Sequence, residues 1–442
     1  MNIKELNKTL QFALEQGAQQ VRLTYSKSVM NLIGILNGEV DKTAYALDQS
    51  LQLQLFVDGR FGTFSSNRLE EKELQAFIRS AIDTVRMLEP DKFRSLPEPG
   101  RLVKDATTGH ELGLYDPEYE NLTSASRKKM ALESCFWPRK EEAEKGFTLI
   151  SEEGEYSDSL FDSITMDSQG LFARHTETSF EIGYEATVED AHGNHYSNFW
   201  WDASPRLQDL KLDSCARTAC ERAAASLFPV DIDSCRTNLI VDSECAGKLV
   251  SPLLNALGGF AVQQNNSFLA SKLGEKLFPE TLNIIDLPRV PGETGCRLYD
   301  SEGVATRDLP IIENGVVKTF FINTYIGRKM DVEPTIEDAT RVKLMPVGGF
   351  STQEELLEKI GDGILVTGFN GGNSNAATGN FSYGMEGFLV RGGKKVHPVR
   401  EMLITEDFIS LWNNLVATAD DARPCMSKLI PTLAFKDVSF SA

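Results

Sequence analysis

Histidine is scarce in this chain, with five in 442 residues, so every imidazole-based site can be checked in turn. His110-Glu111 starts like a zincin motif, but Leu114 and Tyr115 stand where a second histidine would have to share the helix face. That spacing predicts a loop. His192 and His195 bracket Gly193-Asn194, a pair suited to a tight type I′ turn, so a surface hairpin is expected there and not a metal pair. His175 falls in a strand-like alternation and is expected to be structural. No histidine occurs between His195 and His397.

Other absences narrow the function further. The seven cysteines are odd in number and scattered, and no CxxC occurs, which argues against a disulfide framework or zinc ribbon and fits a reducing, cytoplasmic setting. Lys and Arg total 45 against 64 Asp and Glu, a net charge of -19 with no basic run, so direct nucleic-acid binding is not expected. No window approaches the ~20 apolar residues of a membrane span. The N-terminus has no h-region of a secretory signal. Neither GxSxG, a P-loop nor a strand-to-helix GxGxxG is present.

What is present is a chain of two or three domains' length. Ile3, Leu6, Leu10 and Ala13 share one helical face, and Gly17 stops the helix. A strand is expected over about 21–27. Leu51, Leu53 and Leu55 alternate toward Asp58-Gly59, with Phe61 and Phe64 on the return strand, which is a hairpin. Leu74, Ile78, Ala81, Ile82 and Val85 give a helix within 69–88. Residues 90–99 carry three prolines and read as a linker, and 121–145 read as a charged helix. Residues 147–201 predict an antiparallel meander, 207–227 a helix, and 235–242 a buried strand. Asn314-Gly315 marks another hairpin. The fold class is therefore α+β. An N-terminal α/β region with antiparallel hairpins (1–95) is followed by a middle helix-plus-meander segment (96–230). A β-rich C-terminal domain, barrel-like or a curled sheet, spans 231–442.

Three segments in order resemble the TldD/PmbA family, specifically its PmbA (TldE) branch. They are Val366 to Phe388, with a Gly-rich turn followed by Thr378-Gly379-Asn380-Phe381-Ser382; Ser267 to Phe278; and Tyr299 to Val304 leading to Ile312-Glu313-Asn314-Gly315-Val316. With the helix-and-hairpin start, the resemblance covers nearly the whole chain. It implies a metallopeptidase scaffold that acts on unfolded peptides within a TldD–TldE heterodimer, and roles in microcin maturation, antitoxin turnover and DNA gyrase modulation. In the TldD branch a His-Glu-x-x-x-His helix and a cysteine near the C-terminus hold zinc.

This sequence departs from that pattern at the helix. Matching the motif puts Ser251 at the first His, Pro252 at the Glu and Ala256 at the second His, while Cys425 keeps the position of the third ligand. Serine and alanine do not replace imidazole, and proline cannot be a general base. The resemblance thus implies a non-catalytic subunit with no cofactor of its own, zinc being expected only in a TldD-like partner. The partners are that catalytic subunit, or a second copy, and an unfolded peptide. Peptides are often held by strand addition, and Thr378, Gly379, Asn380, Ser382 and Cys425 are the candidates for peptide or subunit contact. The alternatives are an independent hydrolase built on Cys425 and His397, and a protein-binding modulator of DNA gyrase.

Overall fold

A computed structural model describes residues 1–135 and 147–442. Helix α1 (Ile3–Glu15) opens with Asn2 and Glu5 bonding each other's backbone amides as a capping box. Three long strands follow, β1 (Gln20–Leu36), β2 (Glu39–Val57) and β3 (Arg60–Ser66). Their turns, Asn37-Gly38 and Asp58-Gly59, have positive φ at both residues, as a type I′ hairpin requires. Strand β1 runs well past the 21–27 expected of it. Helix α2 (Glu71–Val85) packs with α1 on this half of the sheet, burying Leu6, Leu10, Leu74 and Ile78 against Leu23, Leu53 and Leu55.

The expected linker at 90–99 lacks regular structure over 90–98 but is packed, with Leu96 buried and Arg94 stacked 3.4 Å over Tyr325. Helix α3 spans Ser124–Ser134, and the remainder of the expected 121–145 helix, from 136, lies outside the described residues. Strands β4 (Thr148–Asp167), β5 (Phe172–Glu189) and β6 (His195–Ser204) form the expected meander. They pair onto β1, giving one antiparallel sheet of order β3-β2-β1-β4-β5-β6. Alternation along β5 is strict from Thr178 onward: Phe180, Ile182, Tyr184, Ala186 and Val188 face a core closed by α3 and by α4 (Cys215–Ala225). The helix expected over 207–227 is thus a short turn at Leu207–Asp209 followed by α4.

The C-terminal part is built around a closed barrel. Strands β7 (Cys235–Val241), β12 (Gly363–Phe369), β14 (Asn380–Arg391), β15 (Lys394–Asp407) and β17 (Leu433–Ser441) run in the order β12-β7-β17-β15-β14. A β12–β14 pairing closes the ring, and β16 (Leu415–Thr418) pairs with β17 beside it. Closure removes sheet edges, and local breaks in register help the strands bend around the ring. Such breaks occur at Val366/Gly368 in β12 and Met385/Gly387 in β14. Leu239 and Val241 face one core with helix α5 (Ser243–Ala256), and Ile240 and Leu365 face another with helix α8 (Gln353–Ile360). Between α5 and β12 lie α6 (Gly259–Gln263), α7 (Thr324–Met330) and a small sheet of order β10-β9-β8-β11. Its strands are β8 (Ile284–Asp286), β9 (Leu309–Glu313), β10 (Val316–Val317) and β11 (Val342–Leu344). The Asn314-Gly315 hairpin is there, but β10 is only two residues long. Among the described residues no helix is long and apolar enough to cross a membrane.

Candidate functional site

Strand β7 delivers the chain directly to α5, where the zinc ligands of the TldD branch would be expected. Asp242 caps the helix, its carboxylate accepting from the Glu244 amide (2.9 Å) and from Gln353 Nε2 (3.1 Å). Ala246, Leu249, Val250, Leu253 and Ala256 form the buried stripe. The Ser251 hydroxyl donates back to the Gly247 carbonyl at 2.9 Å. Pro252 lies inside the helix and not in its first turn, so the Lys248 carbonyl loses its usual i+4 donor. Ala256 is buried, and its carbonyl accepts from Ser267 Oγ at 2.5 Å. A serine bound to its own helix, a proline and a buried methyl do not fit a zinc ion.

The chain then turns at Gly258-Gly259. The Gly259 amide donates to the Phe321 carbonyl at 2.7 Å, and a Cβ at Gly259 would stand 2.7 Å from that same oxygen, so only glycine fits. Beside this turn an open cleft of about 490 Å³ is lined by Ser251, Asn255, Asn323, Glu337 and Asp338. Its acidic wall is built on a turn. Asp300 accepts from the amides of Glu302 and Val304 (2.9 Å each) and Glu337 (3.1 Å). Burial pushes the Asp300 carboxyl up to about 6 against those donated bonds, and Glu302 and Glu337 add to the rise. Burial and Glu337 raise Asp338 as well.

The three motif segments meet. Asn375 turns the Gly/Asn-rich loop by accepting from the Ala377 and Thr378 amides (2.9 and 3.2 Å). Gly379, at φ 79°, donates to the Asn375 carbonyl. The Phe268 ring lies flat enough on Gly379 that a Cβ there would come within 3.0 Å of it, and the Phe268 amide donates to the Ala376 carbonyl. Leu277 and Phe278 both donate to the Gly315 carbonyl, tying the second segment to the third. Asn380 is exposed opposite Asp407, and Ser382 Oγ lies 3.1 Å from Thr405 Oγ1. Some of the loop's glycines answer to close backbone approach: a Cβ at Gly372 would sit 2.1 Å from the Ser382 carbonyl oxygen. Residues 370–378 are nevertheless exposed throughout, beside the two-residue strand β13 (Asn373–Ser374) that pairs with β14.

Cys425 is 7% exposed and sits between two anchored arginines. Arg423 reaches Glu244 at the start of α5 and the Trp201 carbonyl in β6. Arg341, 1% exposed, donates to the carbonyls of Thr294, Met426 and Pro424 and to the Glu293 carboxylate. Burial raises the Cys425 thiol, and the Arg423 charge offsets this only in part. His397 stands exposed in β15 opposite Leu389, and among the described residues no hydrogen bond joins it to Cys425. A nucleophile needs a base in reach, and the structure shows no such contact between these two among the described residues. Alkylation of the native protein at pH 8 is expected to label the exposed Cys235 and spare Cys425, as read by peptide mass mapping.

The other histidines are also accounted for. His175 is buried with Nε2 3.1 Å from Glu177, which binds Arg297 at 2.9 Å. Burial lowers its pKa and keeps it neutral. The His110 ring packs at a tilt against Tyr115, 4.8 Å between centroids, while Glu111, despite burial, is held at about 2 by amides of Thr107 and Thr108. The His192–His195 loop differs from the expected two-residue turn. Asp190 caps the His192 and Asn194 amides and only Gly193 has positive φ, so the loop is longer. Among the described residues, no three His, Cys, Asp or Glu side chains are grouped to hold a metal ion.

Comparison with known proteins matches the chain to three domain models in order. These are PmbA/TldA metallopeptidase domain 1 (21–84), the central domain (127–227) and the C-terminal domain (234–442). Metalloprotease PmbA of Escherichia coli O157:H7 is 24% identical over 97% of this chain and 96% of its own length. A PmbA homologue of Buchnera aphidicola is 26% identical over 91% and 88%. The crystal structure of a candidate modulator of DNA gyrase from Bacteroides thetaiotaomicron is 35% identical, with TM-score 0.93 over 99% of this chain and 98% of the other. TldE from Thermococcus kodakarensis shares the fold, with TM-score 0.84 and 21% identity over 99% and 100%.

Proposed function

This chain belongs to the PmbA/TldD metallopeptidase family, and from that premise we propose that it is a non-catalytic subunit of a TldD/TldE-type peptidase complex. In this reading it acts in the cytoplasm, holds no zinc, and helps a zinc-bearing partner enclose an unfolded peptide. The carrying observation is the α5 helix, where Ser251, Pro252 and Ala256 occupy the motif positions and Ser251 is bound back to Gly247. The exposure of residues 370–378 and of Asn380 supports a contact role for Thr378 and Asn380, with Ser382 half-buried beside them, while Gly379, buried under Phe268, would serve by shaping the loop. Cys425 would act by placing its loop between α5 and β6, with no chemistry of its own.

The test is co-expression with a relative that carries His-Glu-x-x-x-His. The two chains are expected to co-purify, and cleavage of an unfolded peptide is expected to require both. Full activity of the relative without this chain would sink the proposal.

A further inference from the structure

Among the described residues, the face of the six-stranded sheet turned away from α3 and α4 is bare over one stretch, and the register defines it. One row across the strands reads Lys42, Gly34, Glu155, Gly183 and Trp201. The next reads Leu36, Glu153, Glu185 and Phe199. Together with Asp41 at the β1–β2 register break, these residues line an open trough of about 600 Å³. Phe199 is 58% exposed and Leu36 39%, large apolar surface on a sheet face left open among the described residues.

The chemistry of the trough selects its occupant. Glu153 and Glu185 are exposed, and among the described residues neither has a basic partner. Its one lysine, Lys42, is already 3.4 Å from Glu155. The Lys42 stem lies over Gly34, but at Gly183 the nearest atom to an added Cβ is Trp201 Cβ at 4.0 Å, so a main chain can lie close to the floor there. Phe199 and Trp201 offer ring faces to a guanidinium or ammonium. This tryptophan already does so within the chain, where Arg423 stands 5.1 Å from its ring. A net charge of -19 attracts cationic segments from a distance.

We propose that this trough docks a basic, extended polypeptide segment, its Lys or Arg heads pairing with Glu153, Glu185 and Asp41 while their stems and planes pack on Phe199 and Trp201. The proposal deepens the peptide-holding part of the function above and rests on that reading only for the peptide's source, because the binding itself belongs to this chain alone.

The test uses the purified full chain and a fluorescein-labelled peptide of alternating Arg and Ser, followed by anisotropy. The peptide is expected to bind, to weaken with added salt, and to bind at least about tenfold more tightly than the same peptide with Glu for Arg. Phe199→Ala and the pair Glu153→Gln/Glu185→Gln should each weaken it about three- to tenfold, with melting temperatures unchanged as expected of exposed sites. Equal binding of the acidic peptide, or binding untouched by these substitutions, would overturn the proposal. It would also be overturned if Phe199→Ala split a dimer of this chain and left peptide binding intact. A failure here leaves partner-dependent peptidase activity, measured separately, unaffected.

Discussion

Gly387→Ala is expected to prevent the C-terminal barrel from closing. A Cβ at this position would lie 1.9 Å from the Leu365 carbonyl oxygen and 2.9 Å from the Val366 Cα, both backbone atoms of β12. Backbone cannot swing aside as a long side chain can, so β14 would have to part from β12 at the pairing that makes the ring. The buried residues on both sides of that seam, Leu365, Val366 and Met385, would lose their contacts together. We expect a loss beyond roughly 4 kcal/mol, in the range reserved for strain and core disruption. That is a melting temperature lower by on the order of 10 °C, or insoluble protein. Gly247→Ala is the matched control. It sits inside α5 with nothing within 4 Å of a Cβ and no positive φ, so it should gain about 0.5–1 kcal/mol. Thermal scans of the two variants check both, and a Gly387→Ala protein melting with the parent would refute the closure account.

The second large effect is expected at Arg341. Its guanidinium is buried and satisfies three carbonyls from two separate loops while pairing with Glu293. Arg341→Met would keep much of the bulk but orphan those acceptors, with a loss of roughly 3–5 kcal/mol. Arg341→Lys should recover only part of it, because an ammonium has no planar fork to reach all the acceptors at once. The loop it holds, 424–426, carries Cys425 and follows Arg423, which ties α5 to β6. Limited proteolysis of Arg341→Met should therefore cut first near 420–428. Cleavage spread evenly along the chain would argue against this anchoring role.

Much of the framework could be read from local chemistry. Asp58-Gly59 between alternating leucines announced its hairpin, and the apolar stripes of α1 and α2 announced their helices. The far halves of β1 and β2 were harder because residues 26–32 and 39–48 are half-buried or exposed on both faces, which erases the alternation. Asn37-Gly38 was the available signal for that hairpin. The pairing of β1 with β4 joins residues more than 100 positions apart, and no local pattern encodes it. Arg341 and Arg423 look like surface residues in sequence, since only the fold places the carbonyls they satisfy.

The candidate site divides in the same way. Which residues occupy α5 was legible because it is a matter of identity. That Ser251 bonds its own helix and Pro252 falls in the interior needed the structure. The outer trough left a trace in the Glu153/Glu155 and Gly183/Glu185 alternation and the Trp200-Trp201 pair, but register was needed to put them on one face.

The central claim is that this chain carries the family scaffold without a zinc site. Its most direct test is the metal content of the full chain purified alone, with peptidase activity measured on the same sample. The account predicts zinc far below one ion per chain and no cleavage of an unfolded peptide. One zinc per chain, lost in Cys425→Ala together with activity, would contradict it.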